Sequence, residues 1–505
     1  MSILSYFFAG LGFLTLYYLF RMIIESRRFD KRRVALRFAL FAPGQLPALV
    51  LPTIPFINPF RRGKAFLDIV AIMDAEEKDD LVIIAPLGTV VFTRNAKTAK
   101  EAFVGLKEAV KKPVQIYVPF LGLFGPNVVI TEGSEWLRHR LVVQPIFSDA
   151  NLRFMADCTA DELNKLVKKW ETTPEIEVGK EITRVTLSVV CRSVFGIEFV
   201  EENGRALELT GVPLEEIFKV VSENTVIRAV VPNFIYRILP LDVLRKTKRA
   251  FDAFELYSTD LIERRRREGS SDRRDLLSLL IQANSVDAKH ALSSREILAD
   301  VFVLMFAGHE TTATALTWAL ILLAFHPEEQ HKIRSEIMEV IADGRAPIYE
   351  DYPRLIRSRA ALQEAMRIFP PVVHIPRVAV QKCIINGIPF TPDQRVSISA
   401  FGLHRNPKIW PQPLTFRPDR FDERVSPPVD DYHWITFARG PSACIGSRFS
   451  LIEGTLILAM LLKRLKIEPP AGLEEDALEG VISITLKPVP QPTLLVKPLT
   501  SPTLW

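Results

Sequence analysis

The sequence predicts a mainly α-helical domain with small β-sheets, an α+β fold. Residues 294–326 form a run of over thirty residues that is apolar on nearly all sides, which is typical of a helix buried in the middle of a large domain. Residues 327–342 open with proline and two glutamates, which favours the start of a further helix. Three shorter runs, residues 80–93, 394–403 and 480–488, have the composition of strands. Helices therefore dominate, and the sheets are small.

Bulk composition narrows the class of protein. A chain of 505 residues with 48% hydrophobic residues is long and apolar enough for one large buried core. Its four cysteines, Cys158, Cys191, Cys383 and Cys444, show no paired spacing, so we expect neither a disulfide framework nor a zinc site, and a reducing compartment. The net charge of +5 is modest, and the basic clusters lack interleaved aromatic residues, so no nucleic acid is expected as a partner.

The N-terminus has the pattern of a membrane anchor. Residues 3–20 carry no charge, and the apolar run continues beyond Arg21, giving about the 20 residues that a membrane-spanning helix needs. Basic residues follow at once, which places the rest of the chain in the cytosol. A signal-peptide cleavage pattern is missing from the sequence. We therefore predict a transmembrane anchor at 1–25, a basic and proline-rich membrane-proximal linker at 26–60, and one domain at 61–505.

One cysteine stands in an unusual stretch, "TFARGPSACIG" at residues 436–446. Cys444 lies between Gly440 and Gly446, just before a predicted helix whose first N–H groups would lower the pKa of the thiol. Such a thiolate suits two roles. With His433 as a nearby base it could be a nucleophile. With no other cysteine nearby it could be an axial ligand to a metal that brings its own remaining ligands, as haem does.

Six motifs in order resemble those of the cytochrome P450 family. The cysteine loop resembles Phe-x-x-Gly-x-x-x-Cys-x-Gly, and "AGHETT" at 307–312 resembles the oxygen-binding stretch of the long central helix. The remaining four are "WLRHR" at 136–140, "EAMR" at 364–367, "FPPVVHIPR" at 369–377 and "FRPDRF" at 416–421. The resemblance implies a cytochrome P450 fold behind an N-terminal transmembrane helix, with residues 61–505 as a haem-thiolate catalytic domain.

The resemblance assigns the cofactor and its ligands. It implies haem b, with Cys444 as the proximal iron ligand and Phe437, Gly440 and Gly446 shaping its loop. Trp136, Arg140 and Arg377 are implied as partners of the haem propionates. Ser442 departs from the family pattern, because a basic residue usually stands there; Arg439 or His433 could substitute. The buried cluster Glu364, Arg367 and Arg420 is implied to hold the core beneath the haem.

The central helix carries the implied oxygen chemistry. Ala307 and Gly308 would leave room for dioxygen, and Glu310 with Thr311 resembles the family's acid–alcohol pair for proton delivery. A simpler interpretation of Thr311 is a hydroxyl bonded back to the preceding turn of its helix.

The family's substrate-contacting regions correspond to apolar stretches of this chain at 113–129, 230–244, 302–306 and 372–375. Each could also be ordinary core. His374 could orient a substrate oxygen, contact a propionate, or be a satisfied core histidine. The residues expected to line the substrate site are Phe120, Phe302, Phe306, Val372, Val373 and His374.

The resulting hypothesis is a haem-thiolate monooxygenase of the endoplasmic reticulum membrane, facing the cytosol. It would hydroxylate or epoxidise a lipophilic substrate, such as a terpenoid, steroid or other secondary metabolite. NADPH–cytochrome P450 reductase would supply electrons, with cytochrome b5 as a second donor, because the chain has no flavin or nicotinamide motif. Arg138, Lys111 and Lys112 are candidate docking charges, and the simpler interpretation of each is a solvated basic face. The alternatives are a reductase-independent peroxide isomerase or dehydratase, and a non-catalytic haem-binding membrane protein.

Overall fold

The computed structural model describes residues 20–38, 63–85, 88–231, 235–238, 241–269, 275–286, 291–342, 345–482 and 484–499. Most of the predicted anchor, residues 1–19, lies outside this part of the chain, whereas residues 20–26 are helical. Within the described residues, none of the helices is both long enough and apolar enough to cross a bilayer.

Helices make up most of the described chain, as predicted. Four of them position the site: the tryptophan helix (Gly133–Val143), the central helix (Ser294–Phe325), the Glu364 helix (Ile356–Ile368) and the cysteine helix (Ser447–Arg464). The other α-helices are Ala65–Ala75, Ala96–Lys100, Val114–Leu121, Asp149–Trp170, Val178–Phe195, Phe199–Thr210, Leu214–Val230, Ile235–Ile238, Asp242–Glu268, Leu276–Val286, Pro327–Val340 and Ala400–Leu403.

The strands form small sheets. In chain order they are β1 (Ala35–Phe38), β2 (Asp80–Ala85), β3 (Gly88–Thr93), β4 (Val110–Lys111), β5 (Glu175–Glu177), β6 (His374–Ala379), β7 (Cys383–Ile385), β8 (Ile388–Phe390), β9 (Arg395–Ser399), β10 (Leu465–Glu468), β11 (Glu479–Ile482), β12 (Leu486–Val489) and β13 (Thr493–Pro498). The largest sheet has the order β1-β2-β3-β9-β6-β4, and β10-β13-β5 form a second sheet. The pairs β11-β12 and β7-β8 complete the set.

Part of the predicted linker belongs to the folded body. Strand β1 pairs in parallel with β2, in the register Ala35 to Leu81 through Phe38 to Ile84. Phe29 and Val34 are also buried. The folded body therefore begins before residue 61. The proline-rich part of the linker, residues 39–62, lies outside the described residues.

The central helix has clear start and stop signals. Ser293 caps its first turn through the N–H of Glu296, and the Glu296 side chain accepts the N–H of Ser293, a reciprocal capping box. At the other end, Pro327 begins the next helix directly after His326. Because the helix is apolar on all sides, it runs through the middle of the domain and is buried along most of its length.

Two apolar cores meet along the central helix. Its N-terminal half packs in a cluster with the helices between residues 187 and 280, through residues such as Phe302 and Phe254. Its C-terminal half packs with the cysteine helix and the Glu364 helix, where Trp318 stacks on Phe369 with ring centroids 3.6 Å apart. Residues from both halves line the cavity described next.

Candidate active site

A cavity of about 350 Å³ lies among the tryptophan helix, the central helix, the cysteine loop and strand β6. Its walls are mostly apolar, and its polar side chains are concentrated beside the cysteine loop and on the tryptophan helix. The apolar walls include Val128, Val129, Val190, Val194, Val303, Leu304, Pro371, Val372 and Ile375. The cavity therefore combines a lipophilic chamber with a polar edge.

Cys444 faces this cavity from a tightly folded loop. Gly440 has a φ of +80°, and a Cβ there would lie 2.7 Å from the carbonyl oxygen of Phe103, so only glycine fits without a shift. The N–H of Cys444 donates to the carbonyl oxygen of Phe437 at 2.9 Å, and the Phe437 ring lines the cavity. The free thiol, accessible from the cavity, is thus held in a fixed place two residues before the cysteine helix cap Gly446.

The predicted lowering of the thiol pKa is wrong for the protein without its cofactor. Burial raises the pKa of Cys444, and the N–H of Gly446 and the charge of Arg140 oppose that effect only in part. Desolvation dominates because the thiol faces the cavity rather than bulk water, so the thiolate would lose part of its hydration. His433 is not among the residues that line the cavity, so within the described residues the base needed for a nucleophilic cysteine is not in place.

Cationic side chains form one edge of the cavity. Arg140, Arg377 and Trp136 line it, as predicted, and Lys112 joins them. Lys112 is buried; its Nζ donates to the carbonyl oxygen of Val129 at 3.0 Å and lies 5.6 Å from the Trp136 ring centroid. The expectation that Lys112 is a charge on the protein surface is wrong, because its side chain is buried. Lys112 lies between strand β4 and Pro113, and neither neighbour indicates from sequence that the lysine side chain points inward.

Ser442 also lies at this edge. Its Oγ accepts a hydrogen bond from Arg377 Nη2 at 3.1 Å. Arg439, a suggested substitute, points elsewhere, because it donates to the carbonyl oxygens of Asp431 and Trp434. Lys112 therefore supplies a positive charge at this edge of the cavity, where the family usually has a basic residue at the position of Ser442.

These residues fit haem. Within the described residues, neither Arg140 nor Arg377 has a carboxylate at salt-bridge distance, and Glu132 reaches Lys112 Nζ only at 4.0 Å. Burial lowers the pKa of Lys112 to about 8, Glu132 opposes this, and the charges of Arg377 and Arg140 lower it further. Cations crowded in this way lack an anion, which two propionates would provide. The buried Thr436 Oγ1, beside the same cavity, also has no hydrogen-bond partner in the described structure.

The central helix presents one narrow face to the cavity. Ala307, Gly308 and Thr311 line it, as predicted. Thr311 Oγ1 donates to the carbonyl oxygen of Ala307 at 2.8 Å, which is the back-bonded arrangement considered above. A Cβ at Gly308 would meet only Val190 Cγ2 at 3.5 Å, so packing alone does not require glycine there.

Glu310 does not line the cavity. Its buried carboxylate pairs with Lys487 Nζ at 2.7 Å and accepts a hydrogen bond from Thr485 Oγ1 at 3.1 Å. Thr485 Oγ1 in turn lies 3.0 Å from Thr314 Oγ1. The acid of the predicted pair therefore faces the β11-β12 hairpin, whereas the alcohol faces the cavity.

The Glu364 cluster forms as predicted. Glu364 Oε2 and Oε1 accept from Arg367 Nε at 2.7 Å and Nη2 at 2.8 Å, and Arg420 Nε reaches Oε1 at 3.2 Å. Arg367 and Arg420 place their remaining donors on the carbonyl oxygens of His404, Pro411, Gln412 and Pro413. Every charge in this cluster is paired inside the chain.

Several predicted substrate contacts are wrong. Phe302 and Phe306 stack on each other inside the apolar core, and Val303 and Leu304 line the cavity in their place. Val372 lines the cavity, but Val373, on the opposite side of the extended chain, packs in the core. The side chain of Phe120 lies outside the described residues.

His374 is a core histidine rather than a cavity residue. It packs against Phe66 and Phe92, and its Nδ1 lies 3.1 Å from Ser397 Oγ. Burial lowers its pKa to about 3, so it stays neutral. On strand β6 the side chains alternate, and Ile375 and Arg377 face the cavity instead.

The other predicted docking charges are engaged at the surface. Arg138 donates to both carboxylate oxygens of Glu296 and to the carbonyl oxygen of Ala291. Lys111 Nζ lies 3.5 Å from Glu108.

Comparison with known proteins agrees with this site. The sequence profile of the family described as Cytochrome P450 matches residues 84–495. Cytochrome P450 monooxygenase 124 of Postia placenta is 32% identical over 413 residues, 75% of this chain and 78% of the relative. Cyclooctat-9-en-7-ol 5-monooxygenase of Streptomyces melanosporofaciens is 28% identical over 352 residues, 69% of this chain and 74% of the relative. Echinocystic acid 23-monooxygenase of Saponaria officinalis is 28% identical over 386 residues, 72% of each chain. The chain belongs to the cytochrome P450 family and is a P450 monooxygenase.

Proposed function

We propose that this protein is a haem b monooxygenase that hydroxylates or epoxidises a bulky lipophilic substrate with electrons from NADPH. The observation that carries the proposal is the cavity itself. It brings together a free thiol, two guanidiniums that have no carboxylate at salt-bridge distance in the described structure, a buried lysine whose nearest carboxylate oxygen lies 4.0 Å away, and apolar walls. When bound, haem supplies O2 activation at an iron whose thiolate ligand favours O–O cleavage.

The residues of the chain would hold the cofactor from two sides. Cys444 would ligate the iron, and the N–H of Gly446, which already acts on the thiol, would stabilise its thiolate form. Arg140, Arg377 and Lys112 would bind the propionates, since charge-assisted hydrogen bonds to carboxylates are the strong ones. Each of these cations has a fixed position set by a backbone carbonyl or a neighbouring side chain.

Thr311 would hold a proton at the cavity. To donate it, the hydroxyl must leave the carbonyl oxygen of Ala307, a rotation about one χ1 bond. Glu310 would replace that proton, with Lys487 as the link to solvent, because the Lys487 side chain is 37% exposed. A side-chain movement of Glu310 or a bridging water is needed between the two residues.

The substrate class follows from the cavity walls. Valine, leucine and isoleucine dominate them, so burial of apolar surface would drive binding. The names of two relatives give cyclooctat-9-en-7-ol and echinocystic acid as the substrates of those relatives. A terpenoid, a steroid or another lipophilic secondary metabolite fits the same chemistry.

The redox partner and location complete the proposal. We infer that NADPH–cytochrome P450 reductase supplies the electrons, with cytochrome b5 as a further donor. We also infer that residues 1–25 anchor the protein in the endoplasmic reticulum membrane, with the domain on the cytosolic face. The apolar N-terminal run and the basic residues behind it support this arrangement.

The first test is the carbon monoxide difference spectrum of the reduced, membrane-expressed protein. A strongly red-shifted Soret band is expected, and its loss in Cys444→Ser would assign the ligand. A haem spectrum of the histidine-ligated type, or no haem, would contradict the proposal.

The second test is Thr311→Ala with reductase, NADPH and a panel of lipophilic substrates. We expect NADPH consumption to continue while product falls about a hundredfold or more and hydrogen peroxide rises. Thr317→Ala is the matched control, since Thr317 Oγ1 makes the same back-bond, to Ala313 at 2.7 Å, on the buried part of the helix away from the cavity.

This test separates the alternatives. A peroxide isomerase or dehydratase would convert a lipid hydroperoxide without NADPH or reductase. A non-catalytic haem protein would show no turnover to lose. Either result would contradict the proposal that this protein inserts oxygen from O2 into its substrate.

A further inference from the structure

A histidine and two glutamates meet outside the active site. Glu135 and His139 stand four residues apart on the tryptophan helix and so share one face. Glu296 approaches them from the first turn of the central helix. One ligand atom from each of the three residues lies within 4.8 Å of the other two. The three side chains thus converge where the two helices cross.

The histidine is buried and has an unused nitrogen. His139 is 0% exposed, and its Nδ1 lies 2.6 Å from Asp300 Oδ2. Its Nε2 has no hydrogen-bond partner in the described structure, although leaving a buried polar atom unpaired is costly. The nearest carboxylate oxygen, Glu296 Oε1, lies 3.6 Å away, which is too far for a hydrogen bond. A group between them would satisfy both atoms.

Asp300 fixes the orientation of the ring. Its Oδ1 accepts the N–H of Val128 at 2.8 Å, and its Oδ2 lies 2.6 Å from Nδ1 of His139. In the tautomer that donates Nδ1–H to Asp300, the lone pair of the imidazole is on Nε2, the nitrogen that faces Glu296. A carboxylate that holds one nitrogen while the other binds a metal is the usual arrangement around metal-binding histidines.

Glu296 has a lone-pair site available on Oε1, the oxygen that faces His139. A carboxylate has about four lone-pair sites, two on each oxygen. Oε2 accepts from Arg138 Nη1 at 3.3 Å and from the N–H of Ser293 at 2.8 Å, so its two sites are filled. Among the described residues, Arg138 Nη2 is the donor to Oε1, and Oε1 is the oxygen that faces His139.

The local charge favours a cation. Three carboxylates, Glu135, Glu296 and Asp300, act on Arg138, whose pKa is raised first by its hydrogen bond to Glu296. One guanidinium therefore faces three acidic side chains in a partly buried region, and burial raises the pKa of one of them, Asp300. Glu135 is exposed and gives an ion a path from solvent.

We propose that Glu135, His139 and Glu296 bind a divalent transition metal ion, with water as a further ligand. One imidazole and two carboxylates match Zn²⁺ better than Mg²⁺ or Ca²⁺, which prefer oxygen alone. Ligand atoms in a tetrahedral zinc site lie about 3.3 Å apart, given metal–ligand bonds of about 2.0–2.1 Å. The 3.6 Å between His139 Nε2 and Glu296 Oε1 is close to that value.

Such an ion would join the tryptophan helix to the central helix. The same tryptophan helix carries Trp136 and Arg140, which line the haem cavity. Bound metal would therefore stabilise the folded protein and the position of these two residues. The inference does not depend on the substrate or redox partner proposed above.

The experiment is equilibrium dialysis of the haem-loaded, full-length protein, purified without a histidine tag and freed of metals with a chelator. Zinc and iron are then counted by mass spectrometry. We expect one zinc ion per haem iron, and at least a tenfold loss of zinc affinity in Glu135→Gln. Glu108→Gln, which removes an exposed carboxylate elsewhere, is the matched control and should bind like the unaltered protein.

Asp300→Asn provides a second variant, because it keeps the shape of the side chain while weakening its hold on Nδ1–H. Loss of such an outer partner typically lowers metal affinity about 10–100-fold. Less than one zinc per iron, or equal affinity in Glu135→Gln, would overturn the proposal. Because Glu135 is exposed, that variant decides the outcome even where Asp300→Asn does not fold.

Discussion

Two groups of buried or half-buried charged side chains differ in whether the chain itself supplies their counter-charges. In the Glu364 cluster, one carboxylate binds two guanidiniums and the remaining donors reach backbone carbonyls. At the cavity edge, Arg140 and Arg377 have no carboxylate at salt-bridge distance in the described structure, and the carboxylate nearest to Lys112 Nζ lies 4.0 Å away. The comparison teaches that a buried charge satisfied within the chain maintains the fold, whereas an unsatisfied one indicates a ligand. In the protein without haem, removing a member of the Glu364 cluster should therefore lower the free energy of unfolding, whereas removing a cation from the cavity edge should not lower it.

The largest effect is expected from Glu364→Gln. This change leaves two buried guanidiniums without their counter-charge, so the free energy of unfolding should fall by about 3–5 kcal/mol. Urea unfolding followed by circular dichroism measures the loss, and haem incorporation should fall with it. Glu350→Gln, which breaks an exposed pair with Arg153, should leave the unfolding curve unchanged. Equal stability of the two variants would contradict the role of the cluster.

Lys112 gives the next effect, and it depends on pH. Its pKa is about 8 in the haem-free fold, compared with 10.5 as the ordinary value. Between these values the unfolded chain binds more protons than the folded one, so the free energy of unfolding rises with pH. The cost of charging Lys112 is fully present below pH 8 and relieved above it, by about 3 kcal/mol at most.

The haem-free protein and Lys112→Met should therefore differ most below pH 8, with the variant the more stable, and converge at alkaline pH. Urea unfolding across this range makes the comparison. A constant difference between the two proteins would show that Lys112 does not titrate as described.

Arg377→Met should separate haem binding from folding. A charge-assisted hydrogen bond is worth about 1.5–3 kcal/mol, so haem affinity should fall roughly tenfold to a hundredfold. The stability of the haem-free protein should not fall, because an uncompensated buried cation has been removed. Haem transfer to an acceptor protein gives the first quantity and urea unfolding the second. Arg377→Lys should retain most of the affinity, and a loss of haem-free stability in Arg377→Met would place Arg377 with the structural charges.

The smallest effect is expected from Lys487→Met. Glu310 loses its ion-pair partner but keeps the hydrogen bond from Thr485, and Lys487 is more than a third exposed, so the cost is about 1 kcal/mol. Glu310 then combines features of both groups: it is paired within the chain, yet it lies beside the cavity residue Thr311. If Lys487→Met changes only stability, Glu310 is structural. If the ratio of peroxide to product also rises, Lys487 positions Glu310 for proton delivery.

Local sequence determined the parts of this protein that depend on spacing along the chain. Gly440 allows the tight loop before Cys444, the Ser293 cap and Pro327 set the ends of the central helix, and the three-residue spacing of Glu364 and Arg367 places them on one face. These features use contacts within a few residues, so motif and periodicity reveal them.

Tertiary structure alone decided which side chains face the cavity. The central helix is apolar all round, and its periodicity therefore could not choose Val303 and Leu304 over Phe302 and Phe306. The burial of Lys112 and the turn of Glu310 towards Lys487 depend on segments distant in the chain, as does the meeting of His139 with Glu296. Such contacts join residues through packing rather than spacing, and for that reason no short pattern in the sequence encodes them.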